Sequence, residues 1–380
     1  MGAEGTGSFQ VEAKDPHSLA RAARLKTAHG WIETPVFMPV GTQATVKTVS
    51  VDELDSLSAQ IVLSNAYHLY LRPGTEIIRK AGGLHAFMAW PKPILTDSGG
   101  YQIFSLREVK KITREGLSFK SHLDGSSHFL TPETVICIQR DLGSDIWMPL
   151  DHCTAYPCAP EDARDALTTT LDWAERSQAE WRRGDASKNL LFGIVQGGVY
   201  ADLRKRSLEG IAGLDFSGLA IGGLSVGEPQ SEMLKILDAL GAQLPAQKPH
   251  YLMGVGYPDD LLSAVERGID MFDCVVPTRN GRNGTVFYSG GKLILTNREF
   301  AEDFSPIDSQ CGCFTCRTHT RAYLRHLFLA KEMLGLRLAS LHNLSFFIEL
   351  LQRARRALLL GRFQEYKRDC LKHFSERKEP

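Results

Sequence analysis

The chain has 380 residues, 43% apolar and 23% charged, which suits a globular protein with one large domain and an appendage. Its 44 basic residues balance 44 acidic ones, so bulk charge alone argues against a nucleic-acid binder. No apolar run reaches the roughly 18 residues of a membrane span, and Met1 to Lys26 hold no apolar signal core. A cytoplasmic protein without a membrane partner is expected, its 8 cysteines reduced or metal-bound. Residues 1–30 read as a polar lead-in with a small hairpin near 9–12 and 20–27. Short apolar runs then alternate with helical patterns, the signature of βαβ units. Strands are predicted at 36–40, 60–64, 94–96, 145–150, 191–195, 219–222, 251–254 and 271–275. Helices are predicted at 51–57, 75–81, 132–142, 160–183, 201–212, 230–240 and 259–267. A hairpin (119–122 and 128–130, turning at Asp124-Gly125) is inserted between the third and fourth strands. Eight strands in strict alternation with helices predict an α/β fold of the (β/α)8 TIM-barrel type at 31–300. A doubly wound sheet competes, but Val40-Gly41-Thr42-Gln43 is no dinucleotide fingerprint.

Active sites of such barrels lie at the C-terminal ends of the strands. Asp97 follows the third strand, Asp151 ends the fourth, Gln196 ends the fifth, and Gly222-Gly223-Leu224 end the sixth. Asp273 belongs to the eighth. An amide and carboxylates suit the donor-rich edge of a guanine-like base, and bare glycine backbone lets a flat ring approach. Any one of these residues could instead be a cap or a turn. Asp273 sits within the apolar run 271–276, read as a buried strand, where a carboxylate is costly unless paired or used. After it come Pro277, then Arg279 and Arg282 among Asn and Gly, a flexible basic loop suited to a polyanion. A structural Asp before an ordinary surface loop reads the same stretch equally well.

Cys311, Cys313 and Cys316 are followed 26 positions later by His342. Three thiolates and one imidazole make a closed tetrahedral set, which predicts one structural zinc per chain. His319 and His326 lie between and compete with His342 as the fourth ligand. From Arg317 onward there are 14 basic residues against 6 acidic, leaving 30 against 38 in the rest. Helices are predicted at 320–333 and 345–360, and the group Arg353, Arg355 and Arg356 is expected to line the approach to the barrel mouth. Residues 301–380 thus read as a zinc-binding, basic helical subdomain.

Thr96-Asp-Ser-Gly-Gly-Tyr-Gln102, Ile221-Gly-Gly-Leu-Ser-Val-Gly-Glu228, Tyr251-Leu-Met-Gly-Val-Gly256 and Met271-Phe-Asp-Cys-Val-Val-Pro-Thr-Arg279, with the cysteine–histidine set, resemble the tRNA-guanine transglycosylases. The similarity runs from about Phe9 to Phe374. It implies an irregular (β/α)8 barrel with a C-terminal zinc subdomain, commonly a homodimer. The implied reaction exchanges guanine 34 in the anticodon loop of GUN tRNAs for a 7-deazaguanine base, a step in queuosine biosynthesis. By resemblance, Asp273 is the nucleophile that forms a covalent ribosyl-enzyme intermediate, and Asp97 the general acid/base. Asp151, Gln196, Gly223 and Leu224 match the groups that recognise the base, Tyr101 and Met253 those that sandwich it. Arg279 and Arg282 match contacts to tRNA. Val226 and Cys153 follow the bacterial pattern, which uses preQ1; Ser225 and Tyr257 look more like eukaryotic members, which insert queuine, while His152 and Gly198 depart from the acid and the Ser usual in bacterial ones. The expected base is preQ1, with queuine as the alternative. A non-catalytic tRNA-binding partner subunit, the other alternative, should lack a catalytic acid, and both are present.

Overall fold

The computed structural model describes residues 5–105 and 109–374. All eight barrel strands form: β1 (Val36–Met38), β2 (Val62–Asn65), β3 (Ile94–Asp97), β4 (Ile146–Trp147), β5 (Leu190–Val195), β6 (Gly218–Ile221), β7 (His250–Leu252) and β8 (Met271–Asp273). They pair in parallel in the order β1-β8-β7-β6-β5-β4-β3-β2. The two edges meet through a Val40–Leu63 bridge, with Leu63 N donating to Pro39 O at 3.0 Å. That join closes the barrel with less pairing than elsewhere, so the barrel is irregular.

Side chains alternate along each strand. Val36, Met38, Leu63, Leu95, Phe192, Ile194 and Met271 share the inner cluster. Phe37, Val62, Ile94, Trp147, Leu191 and Phe272 pack outward against the helices. The strands read as continuous apolar runs because both faces are covered.

A three-stranded antiparallel sheet (Phe9–Lys14, Arg21–Thr27, Gly30–Thr34) lies beside the N-terminal ends of the strands. Its third strand goes beyond the predicted hairpin. Two buried acids bind this floor. Asp145 accepts His29 N (3.1 Å), His29 Nδ1 (2.9 Å), His85 Nε2 (3.0 Å) and Ile94 N (2.9 Å). Asp270 accepts Arg21 Nε (3.0 Å) and Nη2 (2.6 Å) and His250 N (2.7 Å). Full pairing makes such buried charges tolerable. The inserted hairpin is present as Leu117–Lys120 and Ser127–Leu130, with Val109–Ile112 as a third strand.

Four helices position the site or brace it: α1 (Ala201–Gly213), α2 (Val276–Arg282), α3 (Phe314–Thr318) and α4 (Met333–Leu359). Here three expectations are corrected. The apolar run 271–276 is not one strand, since β8 stops at Asp273 and the basic stretch is α2 rather than a loop. Pro277 in the first turn favours that helix. Gly281 lets α2 seat on α4, since a Cβ there would lie 2.7 Å from Ser340 Cα. The predicted helices 320–333 and 345–360 are instead Arg321–Leu329 and the 27-residue α4, divided at Lys331, whose φ is 58°. Finally, Arg355 does not line the mouth. It is buried against the floor sheet, donating to Ala23 O (2.9 Å), Thr34 O (2.8 Å) and Glu12. Arg353 pairs with Glu349 at 2.7 Å, which leaves Arg356 as the exposed member of the group.

Among the described helices, α4 alone has the length and hydropathy of a membrane span, but 67% of that window is buried inside the protein. It is a core helix, packing Leu344, Phe347, Leu351 and Ala354 against the barrel cluster.

Candidate active site at the barrel mouth

Asp97 ends β3 and Asn65 ends β2, and the two stand opposite each other in the parallel register. Asn65 Nδ2 donates to Asp97 Oδ2, as does Gln102 Nε2 at 2.7 Å, while Ala66 N donates to Oδ1 at 3.1 Å. Burial pushes this carboxyl up to about 7, helped by the charge of Asp273 and opposed by its three donors. Such a group can both hold and release a proton near neutrality.

Asp273, at the end of β8, is partly covered. Tyr251 Oη and Gly254 N donate to it at 2.6 and 2.8 Å, both to Oδ1. Those bonds orient the carboxylate and are directed away from Oδ2. Burial raises its pKa, and the two donors oppose the rise. The Tyr251 hydroxyl is held well above its ordinary range by burial and by Asp273, so it stays a donor.

Across the mouth, Asp151 is buried and accepts Gln196 Nε2 at 2.7 Å and Ser98 Oγ at 3.3 Å. Burial lifts its pKa as well. Gly223 holds a left-handed φ of 63°, and a Cβ there would fall 2.3 Å from Gln196 Oε1. Only glycine lets this backbone lie on the amide. Leu224 is buried, and Glu228 accepts the next two amides, Ser225 N and Val226 N (2.9 Å). Met253 flanks the same loop, its sulfur 3.5 Å from the Cβ position of Gly222. Tyr101 is 45% exposed at the rim, where burial raises its hydroxyl pKa along with Cys153, against Arg279.

Arg279 and Arg282 lie in the last turn of α2. Arg279 is exposed, and Arg282 Nη1 is buried without a hydrogen-bond partner among the described residues. Burial, then Arg279, lowers the Arg282 pKa, so an anion brought here would gain two cations.

Cys311, Cys313, Cys316 and His342 converge between α3 and α4. Their sulfurs lie 3.8, 3.5 and 3.3 Å from His342 Nδ1. Ligands of one tetrahedral ion with sulfur and nitrogen donors stand roughly 3.5 Å apart. His342 Nε2 contacts Phe287 O at 2.7 Å, so Nδ1 is the nitrogen that faces the thiols. The donor set and spacing fit a closed metal site. His319 is taken up in a stack on Tyr323, with ring centroids 5.2 Å apart, and His326 is exposed.

Sequence reasoning missed Asn65, Ser98, Gln102, Tyr251, Glu228 and Arg204 as members of the site. Ser98, Gln102 and Glu228 stood inside the motifs named above, where polar side chains among glycines were the available signal, whereas Tyr251 headed its motif as part of an apolar run. Asn65 and Arg204 carried none, because their partners lie on other elements.

A closed (β/α)8 barrel with the carboxylates Asp97 and Asp273 at its mouth, accompanied by a Cys3His cluster that could hold a metal ion, defines a barrel enzyme. The model of the queuine tRNA-ribosyltransferase family matches residues 15–376, and the chain belongs to that family. It is 54% identical over 371 residues to the queuine tRNA-ribosyltransferase of Thermoanaerobacter pseudethanolicus, covering 98% of each chain. It is 55% identical over 366 residues to that of Caldanaerobacter subterraneus subsp. tengcongensis, covering 96% of this chain and 97% of the relative. The Moorella thermoacetica protein of the same name is 54% identical over 371 residues, with 98% and 99% covered.

Proposed function

We propose that this protein is a cytoplasmic tRNA-guanine transglycosylase that replaces the wobble guanine of GUN tRNAs with preQ1. The observation that carries this reading is the pair Asp97 and Asp273, at the mouth ends of β3 and β8 beside an amide–carboxylate pocket. The Asp273 carboxylate attacks ribose C1′. The bond from C1′ to guanine breaks, its electron pair leaving with the base, which takes a proton from Asp97. The incoming base then loses a proton to Asp97, bonds to C1′ and releases Asp273. Two displacements retain configuration, as in retaining glycosidases. An anticodon loop presents its base at little unstacking cost.

Asp151, Gln196, Gly223 and the Leu224 carbonyl would read the base edge, with Tyr101 and Met253 on its two faces. Val226 beside this pocket favours the compact preQ1 over queuine. Arg279 and Arg282 would hold tRNA phosphates, a role that fits the unpaired Nη1 of Arg282. Zinc suits the Cys3His set, which leaves no open position, so the ion would brace the fold and take no part in chemistry. A homodimer is in keeping with exposed Phe314 (49%), Tyr323 (40%) and Met333 (83%) on the metal-braced appendage.

Incubation with guanine-34 tRNA and labelled preQ1 or queuine tests the reading. Efficient preQ1 incorporation is expected, with a denaturation-resistant tRNA adduct that Asp273→Ala abolishes while tRNA binding persists. Preferential queuine uptake would reverse the base assignment, and undiminished exchange in D273A would remove the nucleophile.

A further inference from the structure

Arg204, on α1, is fully buried, yet among the described residues its hydrogen bonds all go to backbone carbonyls. Nε donates to Gly198 O (2.8 Å), Nη1 to Val195 O and Gly222 O (both 2.7 Å), and Nη2 to Gly223 O (3.1 Å). A buried cation without a bonded carboxylate is costly, and burial lowers its pKa to about 10. An apolar side chain would fill the same volume without that cost. What the charge accomplishes therefore lies in its four partners.

Those partners lie on two segments, the end of β5 with the loop after it and the loop after β6. The β5–β6 ladder ends at Val195 and Ile221. Beyond it the chains carry Gln196 on one side and Gly222-Gly223-Leu224 on the other, and the guanidinium fork spans the gap. Between the loops there is no slack. Added Cβ atoms at Gly222 and Gly223 would lie 2.8 and 2.3 Å from the Gln196 amide, which itself holds Asp151 at 2.7 Å. Any change in loop spacing moves the amide and the carboxylate together. Asp97 and Asp273, on β3 and β8, take their hydrogen bonds from other donors.

We propose that Arg204 is a positioning residue for base recognition, its planar fork fixing the spacing of the Gln196 and Gly222–Gly223 loops between which the base edge is read. The proposal rests on the base pocket assigned above. Lys offers one point charge in place of a fork and cannot hold four carbonyls on two loops.

The test is base-exchange kinetics on the full chain for R204K, for R204A with and without millimolar guanidinium, and for D151N as reference. R204K is expected to raise KM for the free base about tenfold or more, while KM for tRNA stays within about twofold and the covalent adduct still forms. Guanidinium should restore base affinity to R204A, as it cannot for D151N. Unchanged base KM in folded R204K, or an equal rise in both KM values, overturns the proposal. So does failure of both Arg204 variants to fold even with guanidinium, which would make the residue a folding element. If D151N leaves base KM unchanged, the pocket assignment itself fails, a result separable from the Arg204 outcomes.

Discussion

Asp97 and Asp273 are both carboxyls at the barrel mouth, yet the proposed chemistry asks opposite things of them. Asp273 must be ionised to attack, while Asp97 must carry a proton when guanine leaves. With its pKa raised to about 7, Asp97 is protonated below that pH and ionised above it. Single-turnover adduct formation should therefore fall as pH rises past about 7, approaching tenfold per unit. Release of the adduct to an incoming base needs ionised Asp97 and should rise over the same range. Rapid-quench measurement of each half-reaction checks this; two flat profiles would take Asp97 out of the proton traffic. Both acids were legible in the sequence, Asp97 because it follows a predicted barrel strand and Asp273 because a carboxylate within an apolar run is costly to bury unless it is paired or put to use. Asn65 and Tyr251 were not, although they orient those acids. Each lies in an apolar run of its own, and its partner stands on the neighbouring strand, opposite Asn65 in register and two residues past the register partner of Tyr251.

At the scale of elements, periodicity located the strands and the outer helices, whose burial follows from one face or from two. It failed around α2 and α4, where one helix depends on another. The stretch 276–282 has too few apolar residues to read as a helix, and it is held by Asn343 of α4. That side chain donates to Pro277 O (2.9 Å) and Thr285 O (3.0 Å) and accepts Phe287 N (3.0 Å). The Cys3His cluster meets the same region, since His342 precedes Asn343 and Phe287 O receives its Nε2. Stripping the metal, or replacing Cys316 by Ser, should loosen α4 and lower the melting temperature by on the order of 10 °C. Metal analysis should give one zinc per chain, lost in C316S. A protein that holds one zinc yet melts unchanged after its removal would show that the cluster braces nothing. Because α4 carries α2 through Gly281, tRNA affinity should weaken with metal loss although no ligand touches RNA.

For the whole molecule, charge counted along the chain was a poor guide to charge presented at a surface. The basic tail from Arg317 suggested a polyanion track, but folding turns Arg355 inward to bind the floor sheet and pairs Arg353 with Glu349. Counting cannot distinguish a cation that neutralises backbone carbonyls from one that faces solvent. What the mouth does present is α2, with exposed Arg279 and the unpaired Nη1 of Arg282. If tRNA docks here, each phosphate contact contributes about 0.7 to the slope of log affinity against log salt for a single-stranded loop. Arg279→Ala and Arg282→Ala should each reduce that slope by roughly this amount and weaken binding, with the KM for free base unchanged. Arg356→Ala, an exposed cation on the tail, should leave the slope as it was. Filter-binding titrations over a range of potassium chloride distinguish the two sets. A slope that responds to Arg356 and ignores both α2 arginines would move the RNA track from the barrel mouth to the tail, and the buried Arg282 Nη1 would then need another reason to lack a partner among the described residues.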